Sequence, residues 1–150
     1  MNKKQKNLTN KGFSLVELII VIAIMAVLVG VLAPQFLKYV EQSRRSTDIQ
    51  NAENIKTAVL ADIADGIITG SSTGISFVDY NSTTPATNGS MATTIATAPT
   101  VQGNLGSLHG TRFTVVYDAV AGTCNVQLTN GSTTYVLTNA DDAADYKTAN

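Results

Sequence analysis

The chain has one cysteine, one histidine and no tryptophan among its 150 residues. A lone Cys124 excludes an intramolecular disulfide, so a domain folding outside the cell must rely on its core. His109 sits in a Gly-Ser-Leu-His-Gly loop and reads as a solvated surface residue, while Cys124 reads as a small buried apolar group. Neither has a recognisable catalytic partner, which argues against an enzyme and calls for no cofactor. Acidic charge is missing from the first sixteen residues, and charge of either sign is missing from residues 18–37.

What fills the gap is an unbroken apolar run. Twenty helical residues cover roughly 30 Å at about 1.5 Å each, the thickness of a bilayer core. Residues 18–37 therefore read as a membrane span. The stretch before it, MNKKQKNLTNKG, carries Lys3, Lys4, Lys6 and Lys11, which favours a cytoplasmic N-terminus. Lys38, Arg44 and Arg45 on the far flank make the basic count only four against three. An ordinary secretory signal fits poorly, because the run is too long and no small-x-small site follows within reach. An uncleaved signal anchor is the alternative.

Glu17 stands near the start of this run. A carboxylate at the centre of a membrane helix costs about 2.5–3.5 kcal/mol on insertion scales, so it needs a partner. A cut between Gly12 and Phe13 would create one, an amine four residues before Glu17. Beyond Gly12, six basic residues face eleven acidic ones, a formal −5. That balance gives no general attraction for nucleic acid.

Pro34 removes a backbone donor, so a bend is expected between Gly30 and Pro34, after which the helix resumes. Ile49, Ala52, Ile55, Val59 and Ile63 recur at helical spacing and form one apolar face. Residues 41–48, EQSRRSTD, are polar all round and suit a helix leaving the membrane. Gly66 is the expected stop, with Ile67 and Ile68 available for the apolar contact of a glycine cap. A helix from 13 to 65 would be roughly 80 Å long, more than a globule of this size contains, so half of it must project.

The chain then divides into a Ser/Thr/Gly-rich loop region at 66–111, with a strand candidate at 75–80, and a sheet with a C-terminal tail at 112–150. Phe113, Val115 and Tyr117, like Cys124, Val126 and Leu128, alternate with more polar residues. Asn130-Gly131 marks a two-residue hairpin turn that pairs Val126 with Tyr135 and Cys124 with Leu137. The fold class is α+β: a long N-terminal helix covering the apolar face of a small antiparallel sheet.

The basic leader ending in Gly12, Phe13 after it, Glu17, the apolar run and Pro34 together resemble a type IV pilin precursor, or a related pilin-like protein. The match covers the first third of the chain and implies a pilin-like α-β roll. It implies a leader, residues 1–12, removed by a prepilin peptidase that cuts after Gly12 and methylates the amine of Phe13. Residues 13–37 would be the transmembrane and assembly helix, and 38–65 its amphipathic half. The subunit would rest in membrane lipid, then pass through an assembly platform driven by an ATPase into a helical homopolymer. Glu17 would meet the N-terminal amine of a neighbouring or the same subunit, while Gly30 and Pro34 loosen the helix.

By resemblance the function is a major structural subunit of a type IV pilus, a surface filament for adhesion, motility or biofilm formation. Alternatives are a pseudopilin of a secretion or competence system, or a minor pilin or adhesin. Asp141, Asp142 and Asp145 are weak candidates for a calcium site of the kind pseudopilins carry; the simpler reading is a solvated acidic tail. The missing cysteine pair departs from the Gram-negative pattern and points to a Gram-positive source.

Overall fold

The computed structural model describes residues 12–76 and 99–149; the leader residues 1–11 and positions 77–80 of the expected strand lie outside them. The elements are α1 (Leu15–Ala64), β1 (Ser71–Ser76), β2 (Thr114–Asp118), β3 (Thr123–Asn130), β4 (Thr133–Val136) and α2 (Ala140–Thr148). The chain forms two units, Met1–Lys38 and Tyr39–Asn150.

In the first unit, α1 starts at Leu15 and contains Pro34 without interruption of its helical assignment. Every side chain from 12 to 37 is exposed. The helix is long and apolar enough to cross a membrane.

In the second unit, the apolar stripe of α1 does what its spacing predicts. Ala52, Ile55 and Val59 are fully buried, with Ile49 and Ile63 packed against the same core. The helix ends at a glycine in the left-handed region, Gly66 with φ 72°. The Gly66 N–H donates to the Ile63 carbonyl at 3.1 Å and the Ile67 N–H to the Asp62 carbonyl at 2.9 Å, the paired bonds of a Schellman cap. Ile68, not Ile67, turns into the core.

The sheet is an antiparallel meander in the order β1-β2-β3-β4. Period-two alternation places Val115, Tyr117, Cys124, Val126 and Leu128 on the inner face, in one cluster with the α1 stripe, Phe113 and Leu137. Fully burying a side chain such as Phe113 or Val126 contributes about 1.5–3 kcal/mol. The β1–β2 register is irregular between Ser72 and Ile75, and β1 begins four residues before the expected strand.

The β3–β4 register differs from expectation. Asn130 pairs with Thr133 and Leu128 with Tyr135, so the turn residues are Gly131-Ser132 and not Asn130-Gly131. Gly131, with φ 61°, takes the first turn position. The Asn130 side chain lies against Gly106, where an added Cβ would meet its Oδ1 at 2.5 Å. The pairing moves by two residues, so the inner set keeps its face; a shift by one would have reversed it.

Two further expectations are corrected. The C-terminal residues are not an unstructured tail: they form α2, with Ala143 and Tyr146 buried, while Asp141 and Asp145 stay exposed. Segment 41–48 is not polar surface all round, since Arg45 and Asp48 are buried. Asp48 accepts three hydrogen bonds: Gln102 N at 2.7 Å on Oδ1, and Gly103 N at 2.7 Å and Tyr146 Oη at 2.8 Å on Oδ2. Arg45 pairs with Glu41 at 2.8 Å and donates through Nη1 to the carbonyls of Tyr146, at 3.0 Å, and Ala149. Glu41 also accepts the Asn104 N–H at 2.6 Å. A buried carboxylate with this many donors is satisfied, as burial requires. The cluster fastens the loop at 102–104 and α2 to α1. Burial, and then the hydrogen bond to Asp48, push the Tyr146 hydroxyl well above the ordinary tyrosine range, so it remains a donor.

Candidate functional site

The segment at 12–17 is built by a helix start. Gly12, Phe13 and Ser14 precede α1 in non-helical conformation, which leaves the Gly12–Phe13 bond outside the helix, and Phe13 is 87% exposed. The Ser14 carbonyl accepts from Leu18 N at 3.3 Å, the helical i→i−4 bond that opens α1. The Ser14 N–H donates to Glu17 Oε2 at 2.9 Å. Ser14 is thus the N-cap and Glu17 the third helical residue, whose side chain reaches back as in a capping box. A carboxylate here also lies at the positive end of the helix dipole.

Gly12 is not a requirement of the fold. A Cβ added there would meet nothing within 4 Å, and its φ lies outside the left-handed region. The same is true of Gly30, in the exposed apolar part of α1. Pro34 has no N–H for the Gly30 carbonyl four residues back, so both residues weaken one stretch of helix.

The other candidates lie in the second unit. Asn139 caps α2 by accepting from Asp141 N at 2.9 Å. Asp141 and Asp142 occupy the first turn of α2, and Asp142 Oδ2 accepts from Val136 N at 3.3 Å. Among the described residues, no group of three or more His, Cys, Asp or Glu could hold a metal ion. His109 is exposed, with Nδ1 3.1 Å from the Gln102 carbonyl oxygen. Burial pushes the Cys124 thiol up to about 11, opposed by the charge of Lys56. Sequence reasoning missed Ser14, although Ser14-Leu15-Val16-Glu17 is a capping-box pattern ahead of an apolar run.

Residues 8–33 match the pattern described as the prokaryotic N-terminal methylation motif. The chain is 36% identical over 70 residues to prepilin peptidase-dependent protein A of Clostridium perfringens (strain 13 / Type A), covering 47% of this chain and 50% of that protein. It is 36% identical over 56 residues to the type IV major fimbrial protein FimA of Dichelobacter nodosus, covering 37% and 36%. Against the type IV major pilin protein PilA of Myxococcus xanthus (strain DK1622) the figures are 36% over 58 residues, 39% and 26%. The chain thus spans half or less of the length of these relatives, and no solved structure matches it. With this motif, these relatives and a long apolar N-terminal helix ahead of a small antiparallel sheet, the chain is similar to type IV pilin precursors over its N-terminal third to half.

Proposed function

We propose that this protein is the major structural subunit of a type IV pilus, polymerising through residues 13–37. The observation that carries the reading is that part of α1, apolar for the length of a bilayer and exposed at every side chain. Such a surface needs a partner: lipid before assembly, and the same helices of other copies afterwards. Prepilin peptidase cuts between Gly12 and Phe13 and methylates Phe13, and a membrane platform with its ATPase moves the subunit into the filament. The N-terminus faces the cytoplasm before assembly. Glu17 meets the new amine, so that two charges enter the helical core as a pair; an unpaired charge costs several kcal/mol and disfavours misplaced subunits. Gly30 and Pro34 let the helix yield as copies pack. The filament serves adhesion, motility or biofilm formation on a cell of Gram-positive type.

Mass spectrometry of filaments sheared from the native cell surface tests this. The expected result is this chain as the dominant protein, beginning at N-methylated Phe13. Recovery from membranes alone, with Met1 or Lys11 still attached, would sink the proposal.

A further inference from the structure

Glu17 has a partner before any cut is made. With the Gly12–Phe13 bond intact, Oε2 accepts the Ser14 N–H at 2.9 Å, and Oε1 accepts no hydrogen bond among the described residues. The donor belongs to the residue immediately after Phe13. We propose that Ser14 is a positioning residue for Glu17: its backbone N–H holds the carboxylate at the N-terminal end of α1 in the precursor, so that cleavage exposes an amine beside an acid already in place. The inference rests on the pilin reading for its consequence, while the contact itself belongs to the uncleaved chain.

Three physical points support it. The N-cap N–H is one of the donors a helix leaves without an internal partner, so satisfying it with Glu17 removes two unsatisfied groups at once. The bond fixes a side chain that would otherwise sample several rotamers, and pairing with the amine then costs less ordering, whether that amine is on the same or another copy. Because Ser14 uses Oε2, the amine can take Oε1 without displacing it; a carboxylate accepts on both oxygens. Cleavage therefore adds a second donor to Glu17 and does not exchange one partner for another.

The test uses the full uncleaved chain in detergent micelles, with amide hydrogen exchange at Ser14 followed by NMR. In Glu17→Ala the Ser14 amide should exchange roughly tenfold faster, the size expected of a hydrogen bond to a charged group. Glu17→Gln, which keeps an acceptor oxygen, should restore most of the protection. Ser14→Pro removes the donor together with the hydroxyl, and Ser14→Ala removes the hydroxyl alone; Ser14→Pro should raise the mobility of the Glu17 side chain above that in Ser14→Ala, read from its methylene relaxation. Equal Ser14 exchange in the wild type and Glu17→Ala, or equal Glu17 mobility in Ser14→Pro and Ser14→Ala, would overturn the positioning role. Neither readout depends on filaments, so a failure of the pilin reading in sheared material leaves them intact, and their failure leaves the pilin reading standing.

Discussion

One helix carries two acids under opposite conditions. Glu17 lies where every side chain from 12 to 37 is exposed, and among the described residues one backbone donor three residues away holds it. Asp48 is fully buried and takes three donors that come from 54, 55 and 98 residues further along the chain. The apolar part of α1 is thus the exposed part, and its more polar part buries charge. Burial along a helix is decided by what the rest of the chain brings to it, and polarity alone does not reveal this. A face that the chain leaves uncovered is available to lipid or to other copies; a face covered by its own chain serves the fold.

Crossed substitutions put that contrast under strain. The largest effect is expected for Glu17→Ala supplied as the only subunit: cleavage after Gly12 continues, filaments are lost from sheared preparations, and the thermal midpoint of the second unit does not move. Normal fibres from this variant would break the assignment of Glu17 to assembly. Asp48→Ala should do the reverse. It leaves the Tyr146 hydroxyl and two loop N–H groups without their acceptor, and each buried donor left unsatisfied costs about 1–3 kcal/mol. Denaturant unfolding of the full chain in detergent measures this, and a loss under about 1 kcal/mol, the range of exposed pairs, would mean that the cluster is solvated. Gly103→Ala comes next, because its Cβ would fall 2.5 Å from Tyr146 Oη, 2.8 Å from Arg45 Cγ and 2.9 Å from Asp48 Oδ2. Overpacking of that kind costs about 1–3 kcal/mol. Gly12→Ala is the matching control, since the subunit has open space there.

The same contrast explains what could be read in advance. Gly12, Phe13, Glu17 and Gly30 lie within the 26 residues of the methylation motif, and Pro34 follows it directly, so their spacing survives without knowledge of the fold. The inner faces of β2 and β3 follow from a period of two, and Gly66 from its place after an apolar stripe. The hairpin register does not follow, because Asn130-Gly131 and Gly131-Ser132 both offer a two-residue turn and the local sequence does not select between them. Arg45 and Asp48 look like surface until residues 102–103 and 146 arrive. The nine-residue α2 has a readable cap in Asn139 and acids in its first turn, yet three aspartates near a terminus read first as a solvated tail and only weakly as ion ligands. Ser14 is the exception: its signal is local, a capping-box pattern that ends at Glu17.

The smallest expected effect vanishes at neutral pH and concerns Cys124, buried on the inner face of β3. Its thiol is raised from 9.0 to about 11 by burial, against the pull of Lys56. The folded state therefore holds the proton more tightly than the unfolded one. That contribution to stability is complete below about pH 9 and is lost as pH rises through 11, where the folded thiol also ionises. Denaturant midpoints of the wild type and Cys124→Ala, measured from pH 8 to 11, should keep a constant separation up to pH 9 and then shift in favour of the variant. Tyr146 loses stability over an overlapping range in both proteins, so only their difference reports on Cys124. A separation that stays constant to pH 11 would mean that water reaches the inner face of β3, and the covered half of the comparison would lose one of its core members.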